Sequence, residues 1–216
     1  MRRLLPALAI ACAAVLVAAP AGAGEADDQQ IAEDVSLTLD DFPDDWEAEP
    51  SSDLGEPSGI DECEALDDAT ATALEVAAYE ETPLFVDPDD PSGETTVEGA
   101  VFVFPKAKAA KRYFRPYADD AARECFQAVG DATVEGYPES EVGTSDLRVS
   151  AGDAAVGYRL EIEGTNDAGV TDSVVLDLIV VRQGRAVVNL GGQGPEEPPD
   201  LDELIDTVLE RLDDEL

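Results

Sequence analysis

The sequence contains no histidine in 216 residues, and only three cysteines, one methionine and one tryptophan. The missing histidine excludes Ser-His-Asp and Cys-His catalysis, histidine metal ligation and a histidine pH switch. Bases are scarce as well: 13 Lys and Arg stand against 50 Asp and Glu, a net charge of −37. Such a chain lacks the clustered cations that nucleic-acid phosphates require, so no nucleic-acid partner is implied. There is no Asn-x-Ser/Thr acceptor and no internal repeat. What is present is apolar material. A hydrophobic content of 44% sets the chain apart from disordered acidic tails, and the length suits one domain.

The N-terminus is the one place where the chain is apolar for long. Arg2 and Arg3 precede an uncharged apolar stretch over 4–19, and Ala21-Gly22-Ala23 is a small-x-small cleavage site. Residues 1–23 thus read as a signal peptide, removed on export. Acids follow this stretch instead of a basic stop-transfer flank, which disfavours a retained anchor. Cys12 offers a rival reading as a lipid-anchored cysteine. Against it, Ala9 stands where such signals carry Leu, and the apolar run continues past Cys12. No later run spans a bilayer, so no transmembrane span remains after signal removal. Cleavage after Ala23 leaves 11 basic residues against the same 50 acids, a net charge of −39.

The remaining cysteines are Cys63 and Cys125. Outside the cytoplasm an even count favours a disulfide, two unpaired buried thiols being the alternative. Charge is segregated too. No Lys or Arg lies between Arg3 and Lys106, and then Lys106, Lys108, Lys111, Arg112 and Arg115 arrive before the next acid, Asp119. Lys108, Lys111, Arg112 and Arg115 share a helix face and are candidate anion-binding residues; pairing with acids of the same chain is the plainer reading.

Periodicity supplies the elements. Residues 24–34 are polar and read as a flexible acidic leader, leaving 35–216 as the domain. Leu37, Leu39 and Phe42 suggest a short helical turn before Pro43, and Trp46 reads as a core anchor in preference to a ligand stacker. Residues 50–58 read as a loop, 60–69 as a short helix, 72–79 as a strand, 87–94 as a loop and 95–104 as a strand. The main helical stretch is 106–129, interrupted at Pro116. Strands follow at 146–150, 154–163 and 172–182, with a turn at 166–169. A hairpin at Gln183-Gly184 leads into a strand over 185–190 and a loop over 191–199. Asp200 and Glu203 suggest a capping box for a last helix striped by Leu201, Leu204, Ile205, Val208, Leu209 and Leu212. Hairpin-joined strands flanked by helices indicate α+β: a mostly antiparallel sheet covered by helices, with a closing hairpin and a C-terminal helix.

Chemistry is thin. Glu161 and Glu163 share one strand face, and a solvated face explains them better than an acid pair. Asp177 is more pointed, because a lone acid in an apolar strand needs a partner; Arg159 or Arg185 on a neighbouring strand would form a structural ion pair with it. Asp87, Asp89, Asp90 and Glu94 lack the EF-hand order. Gly191, Gly192 and Gly194 match no phosphate-binding loop and lead into acids. No catalytic residue, metal or cofactor is implied.

Three segments together resemble a known group. They are LTLDDFPDDWEAEP at 37–50, VFVFPKAKAAKRYFRPYADDAARECF at 101–126, and VGYRLEIEG with SVVLDLIVVRQGRAVVNL over 156–190. They resemble the extracellular PknH-like sensor domains and LpqN-type lipoproteins of high-GC Gram-positive bacteria. The resemblance implies a helix-covered antiparallel sheet with a cleft, used for binding outside the cell and not for catalysis. Those sensor domains tend to have two disulfides, whereas only Cys63 and Cys125 are available here, and no ligand-binding residue carries over. The sequence thus reads as a secreted, non-catalytic binding or sensor-like module for a small molecule or cell-envelope component. A structural or partner-binding envelope protein is the alternative, and a carboxylate-based hydrolase is more remote.

Overall fold

The computed structural model describes residues 25–50, 66–90, 95–134, 139–165, 169, 171–195 and 197–216. The signal-peptide reading, Cys12 and Cys63 fall outside these residues.

Strand alternation in the C-terminal half becomes the centre of an antiparallel sheet. Strand β6 (Ala154–Thr165) pairs with β7 (Thr171–Gln183), and β7 pairs with β8 (Ala186–Gly194). Residues 174–181 of β7 are buried throughout, as their nearly unbroken apolar run requires. The two-residue turn between β7 and β8 opens on Gly184, whose φ of 56° suits glycine. Strand β4 (Thr96–Val103) pairs with the far side of β8, and β5 (Glu139–Leu147) closes the other edge against β6. Strands β2 (Ala78–Glu81) and β3 (Leu84–Val86) pair in succession with β4, and β1 (Glu47–Glu49) pairs with β3. The order is β1-β3-β4-β8-β7-β6-β5, with β2 beside β4. Between β2 and β3, Thr82 keeps the pairing: its Oγ1 accepts from Gly99 N at 2.8 Å and its N donates to Gly99 O at 2.9 Å. Pro83, with no N–H, ends that ladder.

Helices cover both sheet faces, giving the α+β class. On one face, α1 (Glu25–Val35) and α5 (Asp202–Glu215) pack Ala32, Val35, Leu204, Ile205, Val208 and Leu212 onto Val101, Val103, Ile179, Val181, Val188 and Leu190. On the other, α2 (Asp67–Ala73) and α3 (Ala107–Phe114) meet Ala100, Phe102, Leu178, Val180 and Val187. Helix α4 (Asp120–Thr133) extends that layer through Ala122 and Cys125 against Tyr158. Pro116 sits in a 3-10 turn, Arg115–Ala118, which separates α3 from α4. Arg211 of α5 ties down the chain after α1, donating to Ser36 O at 3.0 Å and pairing with Asp41.

Five expectations change. Within the leader expected over 24–34, the described residues do not form a flexible segment: Glu25–Val35 is a helix, because Ala32 and Val35 find core beneath them. Over 72–79, Thr72 and Ala73 end α2 and only the last two residues belong to β2. Strand β5 begins at Glu139, seven residues before the expected start, as a mostly exposed edge held by backbone pairing. Gly191–Gly194 belongs to β8 and not to a loop. Helix α5 has no capping box: Asp200 Oδ1 accepts from Asp202 N at 3.0 Å, and Leu201 is the cap residue.

Candidate functional site

The site grows from one cross-strand pair. Register places Arg159 of β6 directly opposite Asp177 of β7. Asp177 is only 7% exposed. Arg159 Nε donates to Asp177 Oδ1 and Nη2 to Oδ2, each at 2.7 Å, a bidentate fork that satisfies both carboxylate oxygens. The Asp177 hydrogen bonds push the guanidinium pKa up, against the opposing effect of burial.

This pair lies on the α1/α5 face of the sheet. Gly192 of β8, opposite Asp177, shapes what covers the remainder. A Cβ on Gly192 would stand 3.0 Å from Leu201 Cδ2, so the glycine lets Leu201 settle on the strand and draws the start of α5 down. The result is a cleft of about 570 Å³. Asp177, Arg159 and Ile179 form its floor. Leu147, the last residue of β5, with Arg148 and Val149 makes one wall, and Glu197, Pro198, Pro199 and Asp200 make another. Trp46, with Asp87 and Thr95, completes the lining. Trp46 is braced from behind: its ring stacks on Phe42 at 4.9 Å, and Phe42 on Phe85 at 4.2 Å.

The lining carries five carboxylates and two guanidinium groups. One carboxylate, Asp177, is consumed by Arg159. Asp87 and Asp200 each accept one nearby backbone N–H, and no ion pair neutralises Asp87, Glu197, Asp200 or Asp202 among the described residues.

Of the residues singled out from sequence, Asp177, Arg159 and Trp46 meet here, and the candidate anion-binding cations do not. Lys108, Lys111 and Arg112 are exposed on α3 and Arg115 is exposed just after it, on the opposite sheet face, and none of them lines this cleft. Arg112 forms a close ion pair with Glu75. Arg185 lies at the hairpin end of β8, away from Asp177; it pairs with Asp28 of α1 at 2.7 Å and donates to Phe104 O at 3.2 Å. Cys125 is buried beside Leu66, three residues beyond the undescribed Cys63. Asp87 and Asp90 accept backbone N–H groups of Asp89 and Thr95 at 2.9 and 2.8 Å, while Glu94 is not described. Among the described residues no group of three or more His, Cys, Asp or Glu is placed to hold a metal ion. None of their helices is long and apolar enough to cross a membrane. Sequence reading missed the cleft walls; the glycines of β8 followed by Pro198 and Pro199 are the signal that marks them.

A further acid stands apart. Glu98 of β4 projects to the α2/α3 face, where its Oε1 is buried without a hydrogen-bond partner. Burial, helped by the charge of Glu81, pushes its pKa from an ordinary 4.5 up to about 8. It does not line the cleft.

No family model and no curated protein matches the chain. Among solved structures it is similar to the extracellular domain of PknH from Mycobacterium tuberculosis. The identity is 13%, over 87% of this chain and 95% of that one, with a TM-score of 0.45. It is also similar to LpqN, involved in cell envelope biogenesis of Mycobacterium tuberculosis. There the identity is 13% over 80% and 78% of the two chains, and the TM-score is 0.31. These are the two proteins whose groups the sequence motifs resemble.

Proposed function

We propose that this protein is an extracytoplasmic, non-catalytic binding module of the bacterial cell envelope, taking a small ligand in the cleft over Arg159 and Asp177. The observation that carries the reading is the cleft itself. It is an open concavity of about 570 Å³ on a sheet floor, with a braced aromatic wall and the Arg159–Asp177 ion pair at its base. Export rests on the signal-like residues 1–23. The non-catalytic reading is supported by the absence of histidine and by the engagement of the basal acid. The carboxylate at the base of the cleft is engaged at both oxygens, and Glu98, with its raised pKa, faces the opposite side of the sheet.

A thermal-shift screen of soluble metabolites and cell-wall fragments is expected to give ligands that raise the melting temperature and alter Trp46 emission. No ligand in such a screen, together with concentration-dependent self-association in sedimentation, would overturn the reading in favour of a structural protein. Mass spectrometry of the exported chain is expected to show Gly24 as the first residue; a diacylglyceryl group on Cys12 would move the protein to a lipid anchor and leave the cleft reading intact.

The same reading includes a Cys63–Cys125 disulfide, supported by the packing of Leu66 with Cys125. The denatured, unreduced mature protein is expected to titrate no thiol. Reduction is expected to lower stability by about 2–4 kcal/mol, through the freedom returned to the unfolded chain. Two titrating thiols before reduction would remove the bridge.

A further inference from the structure

Resting on the binding-cleft reading, the geometry points to the class of ligand: we infer that the cleft takes an organic cation, an alkylammonium group seated between Trp46 and the acids of the 197–202 segment. Three features of the lining carry this. The first is charge. With Asp177 held by Arg159, the carboxylates of Asp87, Glu197, Asp200 and Asp202 outnumber the one other cation, Arg148, and none of them has an ion-pair partner among the described residues. Glu197, Asp200 and Asp202 are exposed at the rim and Asp87 is half-buried, and such an excess of negative charge around a concavity concentrates cations and repels phosphates and carboxylates. The second is the aromatic wall. Trp46 is half-buried and stacked on Phe42, so it is fixed before a ligand arrives, and indole is the best aromatic partner for an ammonium group. The third is the floor. Arg159 spends Nε and Nη2 on Asp177, and Nη1 has no hydrogen bond among the described residues. It is a donor for a neutral acceptor on the ligand, such as an amide carbonyl or hydroxyl, next to the ammonium-binding rim. The neutralised floor therefore gives orientation, and the acidic rim gives charge selection.

Trp46 is the only tryptophan, so its emission reports the cleft and nothing else. The test titrates the purified protein with spermidine and, in parallel, with a short oligolysine, a neutral disaccharide and inorganic phosphate. Spermidine is expected to give a saturable one-to-one change in Trp46 emission that weakens when salt is raised to about 0.3 M. Oligolysine is expected to act in the same way if the natural source of the ammonium is a peptide. Glu197→Gln with Asp200→Asn is expected to lower the affinity about tenfold. Glu139→Gln with Glu141→Gln is the control. It removes the same charge from an exposed stretch of β5, six or more residues from Leu147, and is expected to change the affinity by less than about twofold. Equal losses in the two variants would mean diffuse counter-ion association and would overturn the inference. A response to the disaccharide or phosphate with none to either amine would overturn the cation class and leave the binding cleft standing. Silence toward every probe would count against both.

Discussion

Replacing Arg159 with Met is expected to destabilise the protein by about 3–5 kcal/mol, far more than loss of an exposed ion pair. The reason is what stays behind. Asp177 is 7% exposed, and Arg159 is the source of its two side-chain hydrogen bonds. Met fills much of the arginine stem but leaves the carboxylate desolvated and unpaired. The double variant Arg159→Met/Asp177→Leu removes that charge altogether and places two apolar side chains across the same β6–β7 position, beside Ile179. It is expected to recover most of the loss, since a well-packed apolar pair often matches a buried ion pair. Chemical denaturation of the three proteins reads the whole cycle. If the single variant costs no more than about 1 kcal/mol, the pair is an ordinary surface bridge and the cleft floor is not preorganised by it. The double variant also separates stability from binding, because it keeps the fold while removing the oriented N–H edge from the floor.

That pair shows what the sequence makes legible and where it stops. An acid inside the run Val174–Val181 announces a buried carboxylate, and hence a partner. The choice between Arg159 and Arg185 depends on register: Asp177 stands opposite Arg159, and Arg185 lies at the far end of β8 with Asp28. The clean alternation of β6 and the stripe of α5 are local patterns, so both elements can be read without knowing their neighbours. Helix α1 and strand β5 are different. Glu25–Val35 has few apolar residues, and its helical state depends on Ala32 and Val35 meeting α5 and β4, and on Asp28 meeting Arg185, all distant in sequence. The segment Glu139–Leu147 is polar because it is an edge, and its order comes from the β6 backbone. The glycines of β8 look like a turn until Leu201 is placed over Gly192. The cleft was hidden for the same reason. Trp46, Asp87, Val149 and Glu197 come from four separate connections, and only the closed sheet brings them around Asp177.

On the other face of the sheet, Glu98→Gln is expected to make the protein more stable, by several kcal/mol at pH 9 and by less than about 1 kcal/mol at pH 5. The Glu98 carboxyl has a folded pKa near 8 against an ordinary 4.5. Below pH 4.5 it is protonated in both states and the folded chain loses nothing. Between 4.5 and 8 the unfolded chain releases the proton while the folded chain retains it, so stability falls as pH rises. Above about pH 8 the folded chain carries a buried charge beside Glu81, and the penalty levels off on the order of 5 kcal/mol. Gln keeps the shape and cannot ionise, so the variant escapes the decline. The remaining carboxylates titrate alike in the two proteins and cancel in the difference. In a chain of this size the gap at pH 9 corresponds to roughly 10 °C in melting temperature. Melting curves taken from pH 5 to pH 9 should therefore diverge steadily, with the variant above. Parallel curves would mean that the carboxylate is solvated or paired in solution. Curves that diverge with the variant below would mean that the ionised form of Glu98 is the one the fold uses.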